Sequence, residues 1–96
     1  MFLELTSSAQ LDSAEAALSY EIERAGLGTR FEEALEAVLV RVAEGPRQFP
    51  VVDRDIRRAL LRRFPFGVFF VVSPEKISVI AVLHLHRHPD TWKLKR

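Results

Sequence analysis

The sequence predicts an α+β fold in which an α-helical hairpin packs on one face of an antiparallel sheet. Two observations predict it. Residues 7–44 hold two stretches with apolar side chains at helical spacing, joined by a short Gly-containing link. Residues 66–85 hold two runs of β-branched and aromatic residues separated by a turn. The chain has 96 residues, enough for one domain and too few for two, so 1–96 reads as a single domain.

The elements follow in order. "FLEL", residues 2–5, is a short strand. The next stretch, "TSSAQLDSAEAALSYEIERAGLG", reads as a helix capped by Ser7 or Ser8 and ended by Gly26 in the left-handed conformation. Leu11, Ala14, Leu18, Ile22 and Ala25 form one apolar stripe along it. A second helix starts at "TRFE", where Thr29 and Glu32 fit a capping box. Its apolar face is Phe31, Ala34, Leu35, Val38 and Val42, and "EGP" at 44–46 stops it. "DIRRALLRRF", residues 55–64, is ambiguous. Ile56, Ala59, Leu60 and Phe64 are spaced like a helix face, yet Pro65 follows at once and only strands come after. "FGVFFVV" (66–72) and "ISVIAVLHL" (77–85) are strands, with the "SPEK" turn between them.

Composition narrows the function classes. The absence of cysteine excludes disulfides, Cys-based zinc sites and thiol catalysis, and fits a reducing compartment. Neither a secretory leader nor an apolar run of membrane-spanning length is visible, so a cytoplasmic protein is expected. The net charge of +1 is unevenly spread. Residues 1–45 carry nine acids against three arginines, and residues 46–96 carry eleven Lys or Arg against four acids. Such a split marks either a basic surface for an anionic partner or two solvated faces of opposite sign.

Strand parity extends the reading. In the last strand Ile77, Val79, Ala81, Leu83 and Leu85 share a face expected to pack on the helices; Ser78, Ile80, Val82, His84 and His86 share the other. The preceding strand is apolar on both faces. Two helices cover one face of a small sheet, so an exposed apolar patch on the other face is expected, used for dimerisation or for a partner.

Taken in order, "GLGTRFEEAL" (26–35), "GPRQFP" (45–50), "IRRALLRRFPFGVFF" (56–70) and "VLHLHRHPDTW" (82–92) resemble the RelE/ParE family of bacterial toxins from type II toxin–antitoxin pairs, closest to its ParE-like branch. The core of the resemblance is Arg57-Arg58, then Phe64 through Val68, then His84, Arg87, Pro89 and Trp92. It implies the order β-α-α-β-β-β, with 56–63 a strand against the local helix reading. It also implies a toxin of the kind linked to plasmid stabilisation, one that inhibits DNA gyrase by protein contact, is not an enzyme, needs no cofactor and is neutralised by a cognate antitoxin. A ribosome-dependent messenger-RNA endonuclease of the same fold is the alternative. A non-toxic member that acts only in complex assembly is a third. A homodimer or a toxin–antitoxin hetero-oligomer would follow.

Candidate chemistry concentrates near the C-terminus. His84, His86 and His88 alternate, and adjacent imidazoles of such a run converge on one side of a strand. The first and third lie ~13 Å apart along it, so no metal site is expected. In the family pattern only the His84 position recurs. For RNA cleavage, His84 or His86 would supply the acid–base group, and Arg87 or Arg62 the cation for the phosphorane. The one tyrosine, Tyr20, is placed outside such a site. Arg58 and Arg62 are expected on one strand face, Arg57 and Arg63 on the other. The residues expected to meet a target or partner are Arg58, Arg62, Ile80, Val82, His84, Arg87, Trp92, Lys93, Lys95 and Arg96. Trp92 can alternatively pack the tail onto the core.

Overall fold

A computed structural model describes residues 1–95, with side chains placed through Lys93. The order is β1 (Leu3–Leu5), α1 (Ser7–Glu23), α2 (Leu27–Glu44), a 3-10 turn (Pro46–Gln48), β2 (Val51–Asp53), β3 (Ile56–Leu60), β4 (Phe66–Val72), β5 (Ile77–His84) and a C-terminal 3-10 helix (Thr91–Lys95). The strands form one five-stranded sheet in the order β1-β5-β4-β3-β2. Its neighbours are antiparallel, except that β1 runs parallel to β5. The short β2 was not foreseen; it pairs with β3 through Val51 and Asp53.

Both helix starts differ from expectation. Thr6, not Ser7 or Ser8, caps α1: its Oγ1 accepts from the Ala9 amide at 3.1 Å. Thr6 leaves β1 in an extended conformation, which is what an N-cap requires, whereas Ser7 and Ser8 are already helical. α2 begins at Leu27, ahead of the expected Thr29–Glu32 box. Its first amides are satisfied from α1 instead. The Glu21 carboxylate accepts from Gly26 N at 3.1 and 2.9 Å and from Gly28 N at 3.0 Å. Gly26 takes the expected left-handed conformation, φ 89°, in the link between the helices. At Gly28 the helices touch, and a Cβ there would lie 2.5 Å from the Ala17 carbonyl oxygen.

Residues 56–60 are a strand, against the local helix reading. β3 pairs with β4 from Arg57 opposite Phe70 to Leu60 opposite Gly67. Tertiary pairing beside a strand that is apolar on both faces outweighs a marginal helical spacing. Arg63, at φ 68°, turns the chain into Pro65 and β4.

The main core lies between the helices and the sheet. Phe31, Val42, Val68, Phe70, Ile77 and Val79 are fully buried there. Phe31 is its aromatic hub, with ring centroids 4.9 Å from Phe66, 5.4 Å from Phe64 and 5.5 Å from Tyr20. α2 presents the expected face, with Phe31, Leu35, Val38 and Val42 buried. α1 does not. It buries Ala9, Ala16 and Ala17, while Leu11, Leu18 and Ile22 of the expected stripe stand 60, 61 and 78% exposed. Small side chains let α1 approach α2 and the sheet closely, so the alanine face takes the inner position.

The second face of the sheet is not the exposed patch that two helices alone would leave. Ile56, Phe69, Ile80, Ala81, Leu83 and Trp92 form a second buried cluster. The C-terminal segment returns across this face, and the Trp92 ring stacks on Phe69 at 4.9 Å and 11°. Trp92 Nε1 donates to Pro89 O at 3.0 Å, holding the ring in place.

A β-bulge changes the parity of β5. Phe69 pairs with Ala81 but Phe70 with Val79, leaving Ile80 unpaired. Before the bulge Ile77 and Val79 face the helices; after it Val82 does, while Ile80, Ala81 and Leu83 join the second cluster. The expected grouping of Ala81, Leu83 and Leu85 with the helix-facing residues therefore fails from position 81 on. Among the described residues no helix is long and apolar enough to cross a membrane.

Candidate functional site

The parity change sends His84 to the helix side of the sheet. It closes one end of a cleft of about 290 Å³ between α1 and the end of β5. Asp12, Glu15, Tyr20 and Glu23 of α1 line one wall, and Phe66, His84 and Arg87 the other. Tyr20 thus belongs to the site from which the sequence reading excluded it. A buried-face position on α1, opposite a histidine at a strand end, was the signal available, but it required knowing where the bulge lies.

His84 acts as a backbone cap. Its Nδ1 accepts from the amides of His86 at 3.1 Å and Arg87 at 3.2 Å, fixing the turn that ends β5. The imidazole meets Phe66 edge to face at 5.3 Å. Burial lowers its pKa below the ordinary 6.5, and the positive charges of Arg87, His86 and His88 lower it further. At neutral pH the ring is uncharged, with its proton on Nε2. The Tyr20 hydroxyl is shifted the other way. Burial raises its pKa above 10.0, Arg87 partly offsets this and Glu23 adds to it, so it stays protonated.

Asp12 joins α1 to the strand, its Oδ2 accepting from the Val82 amide at 3.0 Å. That amide lies just past the bulge. The cleft therefore holds neutral donors at Tyr20 and His84 and carboxylates at Asp12, Glu15 and Glu23, against the guanidinium of Arg87. Among the described residues no group of three or more His, Asp or Glu is placed to hold a metal ion.

A pH dependence follows from His84. The unfolded chain takes up its proton near pH 6.5, the folded chain only at lower pH, so the unfolded state binds more protons between the two values. The contribution of His84 is fully present above about pH 7 and is lost as pH falls through 6.5 towards the folded value. His84→Asn keeps an acceptor for the two amides but does not titrate. Its melting temperature is expected to fall less than that of the parent between about pH 7 and pH 5. Parallel pH–melting curves would count against this role for His84.

The other expected site residues are dispersed. Arg62 does not reach the histidines; it lines a groove along α2 together with Arg63, so these two do not alternate about β3, which ends at Leu60. Arg57 is a structural tie, donating from Nη1 to Phe49 O at 2.7 Å and Arg47 O at 3.3 Å. Arg58 sits on the opposite face beside Phe69, Trp92 and Lys93, its Nε buried with no hydrogen-bond partner among the described residues. Ile80 and Val82, expected to meet a partner, are 8 and 1% exposed and stand inside the two cores. Trp92 is likewise buried, at 6%. His86, Arg87, His88 and Lys93 are exposed. The side chain of Lys95 and all of Arg96 lie outside the described residues.

A helical hairpin on one face of a five-stranded, mostly antiparallel sheet, with β1 returning parallel at the edge, defines a RelE/ParE-like fold. A solved chain of the "Chromosomal ParDE TA system from P. aeruginosa" has this fold, with a TM-score of 0.69 at 20% sequence identity, covering 88% of this chain and 95% of that one. No family model matches the chain, and no curated protein does.

Proposed function

We propose that the chain is the toxin of a type II toxin–antitoxin pair, of the ParE-like kind, acting on DNA gyrase by protein contact and held inactive by a cognate antitoxin in the cytoplasm. The observation that carries the reading is the extent of the structural likeness, 88% of this chain and 95% of a ParDE-system chain, with no large insertion left over.

The make-up of the α1–β5 cleft favours this over the endonuclease alternative. RNA cleavage needs a cationic surface for phosphates and a base near the 2′-hydroxyl. Here three carboxylates face one arginine, Arg62 lies elsewhere, and His84 Nδ1 is committed to two backbone amides. Such a site repels a polyanion and suits contact with a protein.

Induced expression in bacteria is expected to stop growth, and co-expression of the neighbouring small open reading frame to restore it. In a supercoiling assay the purified protein is expected to inhibit gyrase. Codon-linked cuts in messenger RNA after induction would instead establish the endonuclease. Unimpaired growth with the soluble protein accumulating would leave the assembly-only reading.

A further inference from the structure

α1 is apolar on two opposite sides. Its inner face holds Ala9, Ala16 and Ala17 against the core, and its outer face holds Leu11, Leu18 and Ile22 in solvent. At 3.6 residues per turn these three side chains fall within an arc of roughly 40°, directly opposite the alanines. A helix apolar on both sides is one built to be covered on both. The surroundings of the outer stripe are acidic. Glu15 adjoins it, and α1 as a whole carries Asp12, Glu15, Glu21 and Glu23 with no Lys or Arg.

The complement lies elsewhere on the same chain. Between α2 and the turn after β3 runs a groove of about 630 Å³, floored by Leu27, Ala34, Leu60 and Phe64. Four arginines, Arg30, Arg41, Arg62 and Arg63, rim it against one acid, Glu33. Leu60 within it is 48% exposed. The groove thus offers an apolar floor and a positive rim to an apolar face on a negatively charged helix.

We propose that the outer stripe of α1 docks into the α2 groove of a second copy of this chain. The two surfaces differ, so the contact is heterologous. Each added copy leaves one stripe and one groove free, and the assembly grows head to tail rather than closing as a symmetric pair. The rim charges steer and register the contact, which makes it sensitive to salt.

Sedimentation velocity on the full chain tests this. The parent protein is expected to form species larger than a dimer as concentration rises, and to dissociate towards monomer as salt is added. A stripe variant, Leu18→Glu with Ile22→Glu, and a groove variant, Arg30→Glu with Arg62→Glu, are each expected to be monomeric alone, with association weakened roughly tenfold or more. Circular dichroism would show that both remain folded, since all four positions are exposed. Mixed in equal amounts, the two variants retain one intact groove and one intact stripe between them, and a 1:1 dimer is expected. A parent chain that stays monomeric at low salt, or a mixture that stays monomeric, would overturn the proposal. So would a groove variant that assembles like the parent while the stripe variant does not, because that pattern belongs to symmetric packing of α1 on α1.

Discussion

Phe31→Ala is expected to lower the stability of the fold by about 3–5 kcal/mol, the range for truncating a buried Phe. Phe31 has no exposed surface and touches Tyr20, Phe64 and Phe66, residues drawn from α1, the β3–β4 turn and β4. No neighbour can collapse into the space without leaving the others. A domain of this size loses at least about 4 °C per kcal/mol, so the melting temperature is expected to drop by about 12 °C or more. Phe31→Leu refills part of the volume and is expected to lose less. A Phe31→Ala protein that melts within a few degrees of the parent would show that the hub is not where the helices and the sheet are joined.

Trp92→Ala is expected to lose about 3 kcal/mol, at the low end for a large buried aromatic because the segment lies at the edge of the fold. The loss has a specific form. Without the indole stacked on Phe69, the segment 89–93 loses its ring contact with the sheet, while the exposed Asp90–Lys93 pair at 3.7 Å and the Lys93 N to Asp90 O hydrogen bond at 3.1 Å lie within the segment and do little to hold it there. Phe69, Ile80 and Leu83 then meet water. Binding of a hydrophobic dye is expected to rise together with the fall in stability. Unchanged dye binding would mean that the second face is sealed by something other than Trp92.

Much of this architecture was legible in the residues. The hairpin of β4 and β5 follows from two β-rich runs around "SPEK", and the core face of α2 from Phe31, Leu35, Val38 and Val42 at helical spacing. β3 was legible only through the family resemblance, because Ile56, Ala59 and Leu60 suit either period and pairing with β4 decides between them. The inner face of α1 was misjudged for a definite reason. Hydrophobicity ranks Leu11, Leu18 and Ile22 above alanine, but close approach to α2 and the sheet selects the smaller residues. The site was the least legible part. Alternation along β5 gave the correct face through Ile80 and the opposite one from Ala81, which placed His84 away from α1 and left Tyr20 out. Likewise Arg62 was assigned by strand parity to a position where the strand has already ended.

The unpaired Ile80 has a further consequence for the history of such chains. Removing that one residue would restore strict alternation and leave Ala81 and Leu83 on the second face and Val82 and His84 on the helix side, because the bulge already absorbs the extra residue. Flattening the bulge with Ile80 retained would instead carry His84 out of the carboxylate-lined cleft to the side where Arg58 and Trp92 stand, without a single change in side-chain chemistry. Gain or loss of one codon at this point is therefore taken up by the bulge, and aligned chains that differ by one residue here are expected to carry their C-terminal histidine on the same side.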